Sequence, residues 1–271
     1  ETTRYGAAVV PRHGLRRVTY ERVPRDGEHP GMTTRESDAT ATVIGVPVAR
    51  RIPLRGIQRV VANRTLAGIQ STAHVTAMAE MDAEPVLAHA RELREQIPGL
   101  TLTHVLIKTA AACLRRHPRL NATIEADTVI EYAEVNVAVA LALPSDNLLA
   151  VVIKRADECP LAEIVTRLHS LQQRAEAGAL SKDDVHGATF TLSNYGMLRT
   201  VTWATPVLTP GQAAVLGIGR AAPRIVVDEA DPQGWSVRRV LPVSLTYDHR
   251  IVNGVPAGRF LDDLAELLQH P

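Results

Sequence analysis

The chain has 271 residues, enough for one large domain or two small ones with a sizeable core. Its 30 Lys+Arg against 29 Asp+Glu give a formal net charge of +1, which argues against an obligate nucleic-acid binder. Aromatic residues make up only 3%, so the core is expected to be built from Ala, Val, Leu and Ile, with no aromatic platform for stacking bases.

Residues 1–47 are rich in Arg, Thr, Gly, Pro and Asp and show little periodicity. They read as an N-terminal arm or linker, in which VTYERV is a possible short strand. The opening ETTRYGAAVV carries neither an initiating Met nor a signal-peptide pattern, as in a processed or recombinant fragment. No apolar run approaches the roughly 20 residues needed to cross a bilayer.

From Val48 to Pro271 the pattern becomes regular, and this span is expected to be the folded domain. GIQRVVANRTLAG has helical spacing, HVTAMAEMD alternates like a strand, and EPVLAHARELREQ and TLTHVLIKTAAACLRRHP read as helices. EVNVAVALAL and NLLAVVIK read as strands joined by PSD. A long amphipathic helix then places Leu161, Ile164, Val165, Leu168 and Leu171 on one stripe. ATFTLSN, QAAVLGIG, RIVV and SVRRVLPVSLTY are strand-like, and VPAGRFLDDLAELL closes the chain as a helix. The strands crowd the second half without regular βαβ alternation, which favours an α+β fold over a doubly wound sheet.

Three features are weak as functional signals. GIGRAA, Gly217 to Ala222, matches a dinucleotide fingerprint, but Pro223 and RIVV follow where a helix must open, so glycines beside a crowded backbone are the better reading. The ten histidines show no metal-binding spacing, and no metal is expected. Cys113 and Cys159 sit in unrelated contexts and read as buried free thiols in a reducing compartment.

The stretch SLTYDHRIVNG, Ser244 to Gly254, is more informative. An apolar strand ends in Asp248-His249-Arg250, which puts an imidazole at the edge of a core, where it can be held in one tautomer. Asn253-Gly254 then marks a tight turn before a helix. Separately, FTLSNYG places Ser193 and Asn194 at the end of another strand. A hydroxyl donor and an imidazole on two strand ends suit acyl transfer.

Taken in order, IPLRGIQRVVANR, AHVTAMAEMD, HPRLNATI, VNVAVAL, LAEIVTRLHSLQQRAEAGALSKDDVHGATFTLSNYGM, TPVLTPGQAAVLGIGR and LPVSLTYDHRIVNGVPAGRFLDDLAELL resemble the catalytic domain of the dihydrolipoamide acyltransferases. These are the E2 components of 2-oxoacid dehydrogenase complexes. The resemblance implies a chloramphenicol acetyltransferase-like two-layer sandwich, a mixed sheet packed by helices, assembled as a trimer and possibly a larger core. It implies transfer of an acyl group between the thiols of coenzyme A and dihydrolipoamide, both met as substrates. His249 would be the general base and Ser193 the donor to the tetrahedral oxyanion. A free thiol titrates near about 8.5 and a free imidazole near about 6.5, so that proton transfer is modestly uphill.

By the same resemblance the active site lies between adjacent subunits, with His249 from one and Ser193 from the other. Asp248, Asn194 and Gly254 would support the site. The family pattern usually carries an acid where this chain has Asn253. Arg59 is then the candidate partner for that position, less well compensated if buried, and the site is expected to be weakened or rewired. Ala150 stands where the family commonly has Pro, so acyl or coenzyme specificity can differ. Lys108, Lys154 and Lys182 are the only lysines, and none sits in a lipoylation hairpin, so the lipoyl group would come from another domain or protein. The implied partners are the dehydrogenase (E1) and dihydrolipoamide dehydrogenase (E3) components and a lipoyl domain, with no nucleic acid or membrane. The implied location is the cytoplasm, or the mitochondrial matrix in a eukaryote. Two alternatives are a weakened trimeric scaffold that organises partner enzymes, and a coenzyme A-dependent transferase of the same fold with another acceptor.

Overall fold

The structure is a computed structural model that describes residues 42–142 and 148–271. The expected strand in VTYERV and the PSD connection lie outside the described residues. The chain divides into a unit ending at Ile52 and a unit spanning Pro53–Pro271. In the first, β1 (Thr42–Val43) and β2 (Val46–Pro47) pair around Ile44-Gly45, both at positive φ.

The second unit carries five α-helices among the described residues: α1 (Gly56–Ser71), α2 (Glu84–Gln96), α3 (Leu102–Arg116), α4 (Leu161–Glu176) and α5 (Gly254–Gln269). Its strands are β3 (His74–Asp82), β4 (Ala122–Glu125), β5 (Thr128–Glu131), β6 (Val137–Ala142), β7 (Leu148–Ile153), β8 (Phe190–Asn194), β9 (Ala214–Ile218), β10 (Ala222–Val227) and β11 (Trp235–Asp248). The fold is α+β, as its uneven mixture of elements suggested. The β4–β5 hairpin, turning at Ala126 with positive φ, is an element that periodicity did not reveal.

Seven strands form one mixed sheet. β11 is antiparallel to β3 on one side and to β9 on the other; β9, β8 and β6 run parallel, and β7 returns antiparallel to β6. β10 continues along β11 after β9, with the register slipping by one residue between Ile218↔Val243 and Ala222↔Val240. That continuation is a strand, so no helix follows GIGRAA. A Cβ on Gly219 would lie 2.3 Å from the Thr202 carbonyl oxygen, which explains the glycine as backbone crowding.

The core lies between one face of the sheet and the helices. Leu241, Val243, Leu245 and Tyr247 of β11 face it, together with Leu106, Ile107 and Leu114 of α3 and Phe260 and Leu264 of α5. Cys113 and Cys159 are free and buried there, and burial pushes the Cys113 thiol up to about 12, which makes it unreactive. The outer side of α1 is different: Val60, Val61, Leu66 and Ile69 remain exposed. No described helix is long and apolar enough to cross a membrane.

Candidate functional site

The alternation of β11 leaves Pro242, Ser244, Thr246 and Asp248 on the face turned away from the helices, yet all four are buried. A polar strip can stay buried only if each group finds a partner. Thr246 bonds Thr76 of β3 at 2.8 Å, and Ser244 lies 3.2 Å from the Tyr195 hydroxyl, which also accepts the Ala204 amide. Gly217 is required beneath this packing, because a Cβ there would fall 2.4 Å from Ser244 Oγ.

Asp248 ends the strip and sets the turn. It is 1% exposed, and its Oδ1 accepts the backbone amides of Ala73 at 3.2 Å and Arg250 at 3.1 Å. The Arg250 guanidinium bonds both carboxylate oxygens and also donates to the Ser71 carbonyl at 2.6 Å. Burial alone would raise the Asp248 pKa; the hydrogen bonds from Arg250 and Ala73 outweigh it and hold the carboxyl below the usual range. The Ile251 amide closes a turn onto the Asp248 carbonyl at 2.9 Å.

The tight turn therefore spans residues 249–251 rather than Asn253-Gly254. Asp248 supplies the local hydrogen bond that bends the chain, and Asn253 becomes the N-cap of α5, with Gly254 its first residue. The His249 amide donates to the Ala73 carbonyl at 2.8 Å, so the backbone beneath the histidine is fixed. The residue is exposed and its ring makes no side-chain hydrogen bond among the described residues, so none of these selects a tautomer.

Ser193 occupies the penultimate position of β8, half-buried, in register with Gly217. Asn194 shapes the bend that follows: its Nδ2 donates to Thr103 Oγ1 at 2.8 Å and its Oδ1 accepts the Gly196 amide at 2.9 Å. Both line a cleft of about 1140 Å³ between this bend, the first turn of α3, one side of α4 and the ends of β6 and β7. His104 also lines it. The Thr101 amide donates to His104 Nδ1 at 2.9 Å, which places the ring proton on Nε2, and burial, with His169 nearby, lowers its pKa.

The register separates the two predicted groups. Ser193 stands opposite Gly217, Gly217 opposite Ser244, and His249 lies five residues beyond Ser244. At about 3.4 Å per residue that is roughly 17 Å along the strand, plus two strand spacings of about 4.8 Å across it. Within one chain the imidazole and the hydroxyl cannot reach one reacting carbonyl. Arg59 lies exposed on α1 without an ion pair among the described residues, so the buried pairing with position 253 does not form within the chain. Among the described residues no three His, Cys, Asp or Glu side chains converge as a metal site. The polar strip under Tyr195 and the histidines of the cleft were missed; the alternation Pro-Val-Ser-Leu-Thr-Tyr-Asp carried the signal for the first.

A family model for the catalytic domain of 2-oxoacid dehydrogenases acyltransferase matches residues 47–271. The dihydrolipoyllysine-residue acetyltransferase component of the Mycobacterium bovis pyruvate dehydrogenase complex is 34% identical over 221 residues, 79% of this chain and 40% of that protein. The succinyltransferase component of the Haemophilus influenzae 2-oxoglutarate dehydrogenase complex is 27% identical over 82% of this chain and 54% of that protein. The chain thus spans about half, or less, of the length of these curated relatives.

Among solved structures, an Azotobacter vinelandii dihydrolipoamide acetyltransferase superposes with a TM-score of 0.75 at 26% identity, covering 82% of this chain and 92% of that one. Its study concerns the role of a serine, a histidine and an asparagine in the catalytic mechanism, the asparagine four positions after the histidine. A chloramphenicol acetyltransferase shares the fold, with a TM-score of 0.51 at 13% identity over 76% of this chain and 94% of that one.

Proposed function

The chain belongs to the 2-oxoacid dehydrogenase acyltransferase family, through its catalytic domain, and from that premise we propose that residues 48–271 are a catalytic domain that moves an acyl group between the sulfurs of coenzyme A and dihydrolipoamide. The observation that carries this reading is the division of the site: an exposed imidazole on a clamped turn and a hydroxyl in a cleft, held too far apart by the sheet register to act in one chain. They act when the turn of one subunit closes the cleft of the next, in a trimer or a larger core built from trimers. Residues 1–47 are the arm that leads into this domain.

His249 takes the proton from the attacking thiol. The sulfur then attacks the thioester carbonyl carbon, and the carbonyl oxygen becomes an oxyanion that accepts a hydrogen bond from Ser193. Collapse expels the second sulfur, which recovers the proton from the imidazolium. No acyl-enzyme forms. Removal of a single oxyanion donor of this kind typically costs about 3–4 kcal/mol of barrier. Asp248 holds the turn, Asn194 holds the bend after Ser193, and Gly254 begins the helix behind the histidine.

Asn253 gave the motive for a decayed scaffold. In the Azotobacter enzyme an asparagine at the same spacing from the histidine is studied for a part in catalysis, so the residue here favours chemistry over decay. The lipoyl group is carried by another domain or protein, and the E1 and E3 components are the partners that load and reoxidise it, in the cytoplasm or the mitochondrial matrix. The test is a thiol-exchange assay with acetyl-CoA and dihydrolipoamide. Transfer that depends on both His249 and Ser193 supports the reading, and coenzyme A binding without transfer returns it to the scaffold. Turnover only with hydroxyl or amine acceptors would favour the same-fold alternative.

A further inference from the structure

His74 takes no part in the proposed chemistry, yet both of its ring nitrogens are engaged. It stands half-buried at the start of β3. The Leu208 amide can only donate, so His74 Nε2 accepts it at 2.9 Å and carries no proton. The ring proton is therefore on Nδ1, 2.7 Å from Thr72 Oγ1, and Thr72 donates its own proton to the Gly68 carbonyl at 2.6 Å. The circuit closes where α1 presses on Leu208: a Cβ on Gly68 would collide with the Leu208 carbonyl oxygen. One imidazole thus ties the last turn of α1, the start of β3 and the buried segment at Leu208 together.

Between Thr72 and His74 lies Ala73, the residue on which the His249 turn rests. The Ala73 carbonyl accepts the His249 amide at 2.8 Å, and its amide donates to Asp248 Oδ1 at 3.2 Å. One residue before Thr72, the Ser71 carbonyl accepts the Arg250 guanidinium at 2.6 Å. His74 itself is paired with Asp248 in the β3–β11 register. The turn at residues 248–250 is therefore seated on residues 71–74, and the two hydrogen bonds of His74 set where that seat stands. A shift of the seat carries the His249 backbone with it.

We propose that His74 is a positioning residue for the base: through Thr72 and Leu208 it holds Ala73, and through Ala73 it fixes the reach of the His249 imidazole. The proposal rests on the thiol-to-thiol transferase reading above and adds a residue to its machinery. A general base must stand within hydrogen-bond reach of the proton it takes, and a displacement of about 1 Å can lower the rate about 100-fold. Neither His74 nor Thr72 lines the cleft around Ser193, so the loss falls on kcat rather than KM.

The experiment uses the full chain with acetyl-CoA and dihydrolipoamide. His74→Leu removes both ring contacts. With circular dichroism and assembly size unchanged, kcat is expected to fall about 10–100-fold while both KM values stay within about threefold of wild type. His74→Gln, whose carboxamide oxygen offers an acceptor to the Leu208 amide, is expected to recover kcat at least about fivefold over His74→Leu. Hydrogen exchange over residues 248–252 is expected to quicken at least about tenfold in His74→Leu, while residues 241–247 keep their protection. Unchanged kcat, a loss carried wholly by KM, no recovery in His74→Gln, or unchanged exchange at the turn overturns the proposal and leaves the transferase reading intact. If His74→Leu does not fold, Thr72→Val takes its place, with a kcat loss of about threefold or more and the same exchange pattern expected; wild-type values of both overturn it. If the wild-type chain transfers no acyl group, the transferase reading falls, and exchange at the turn alone decides whether His74 holds it: faster exchange in His74→Leu supports that role and unchanged exchange overturns it.

Discussion

The turn carrying His249 and the cleft carrying Ser193 are built in opposite ways. In the turn the backbone is fixed from several directions, by Asp248, Arg250 and the two hydrogen bonds of Ala73, while the imidazole makes no side-chain hydrogen bond among the described residues. In the cleft the hydroxyl is half-buried in a strand, and the surrounding shape is defined by α3, α4 and the Asn194 bend. One region supplies a rigid stalk with an exposed imidazole at its tip, the other a shaped recess that holds the hydroxyl. On the proposed reading each is incomplete alone, and the incompleteness follows from strand register rather than from a missing residue.

The strongest way to break this comparison is to remove the tip. His249→Ala is expected to lower kcat for acyl transfer by about 10³-fold or more while the fold is kept, as circular dichroism would show. Ser193→Ala should lower kcat by about 10²–10³-fold with a smaller change in KM, read from steady-state kinetics. Mixing sharpens the comparison further. Refolding the two variants together should restore about a quarter of wild-type activity, because one seam in four would pair an intact histidine with an intact serine in a cyclic trimer. No recovery, in mixed trimers verified by mass spectrometry, would return both groups to a single chain.

The smallest expected effect concerns the stalk. Asp248→Asn keeps an acceptor but loses the charge facing Arg250, and a drop in Tm of about 5 °C is expected near neutral pH. The folded carboxyl has a lowered pKa, so its contribution is present above the unfolded value and disappears as pH falls through the folded value. The gap in Tm between wild type and variant should therefore close in acid below the ordinary carboxylate range. A gap that widened there would assign the opposite sign to this group.

Most elements were legible from the sequence because their patterns are local. The stripe of Leu161, Ile164, Val165, Leu168 and Leu171 gave α4, and the alternation of HVTAMAEMD gave β3 in full. The β4–β5 hairpin was not legible, since its strands are four residues each and its turn is made by Ala126 rather than by Gly or Asn. At the site, the two strand ends that carry His249 and Ser193 could be read. The true position of the turn could not, because Asn-Gly is a strong turn signal that here caps a helix. Arg59 was assigned by motif position, and that position says nothing of which face of α1 stays uncovered within one chain.

β11 is a ruler as well as a wall. Its last nine residues pair with β3 and five of these, Val243–Tyr247, pair with β9 as well, so the interval from Ser244 to His249 is counted in whole residues. A single inserted residue in that interval would turn Asp248 and its neighbours to the opposite face and strip Ala73 of both its partners. Descent can therefore not lengthen the span between base and hydroxyl by small steps along this strand. Under the division of the site proposed above, a change in its reach would come from how one copy is set against another, and the assembly, not the chain, would be the unit on which that chemistry is tuned.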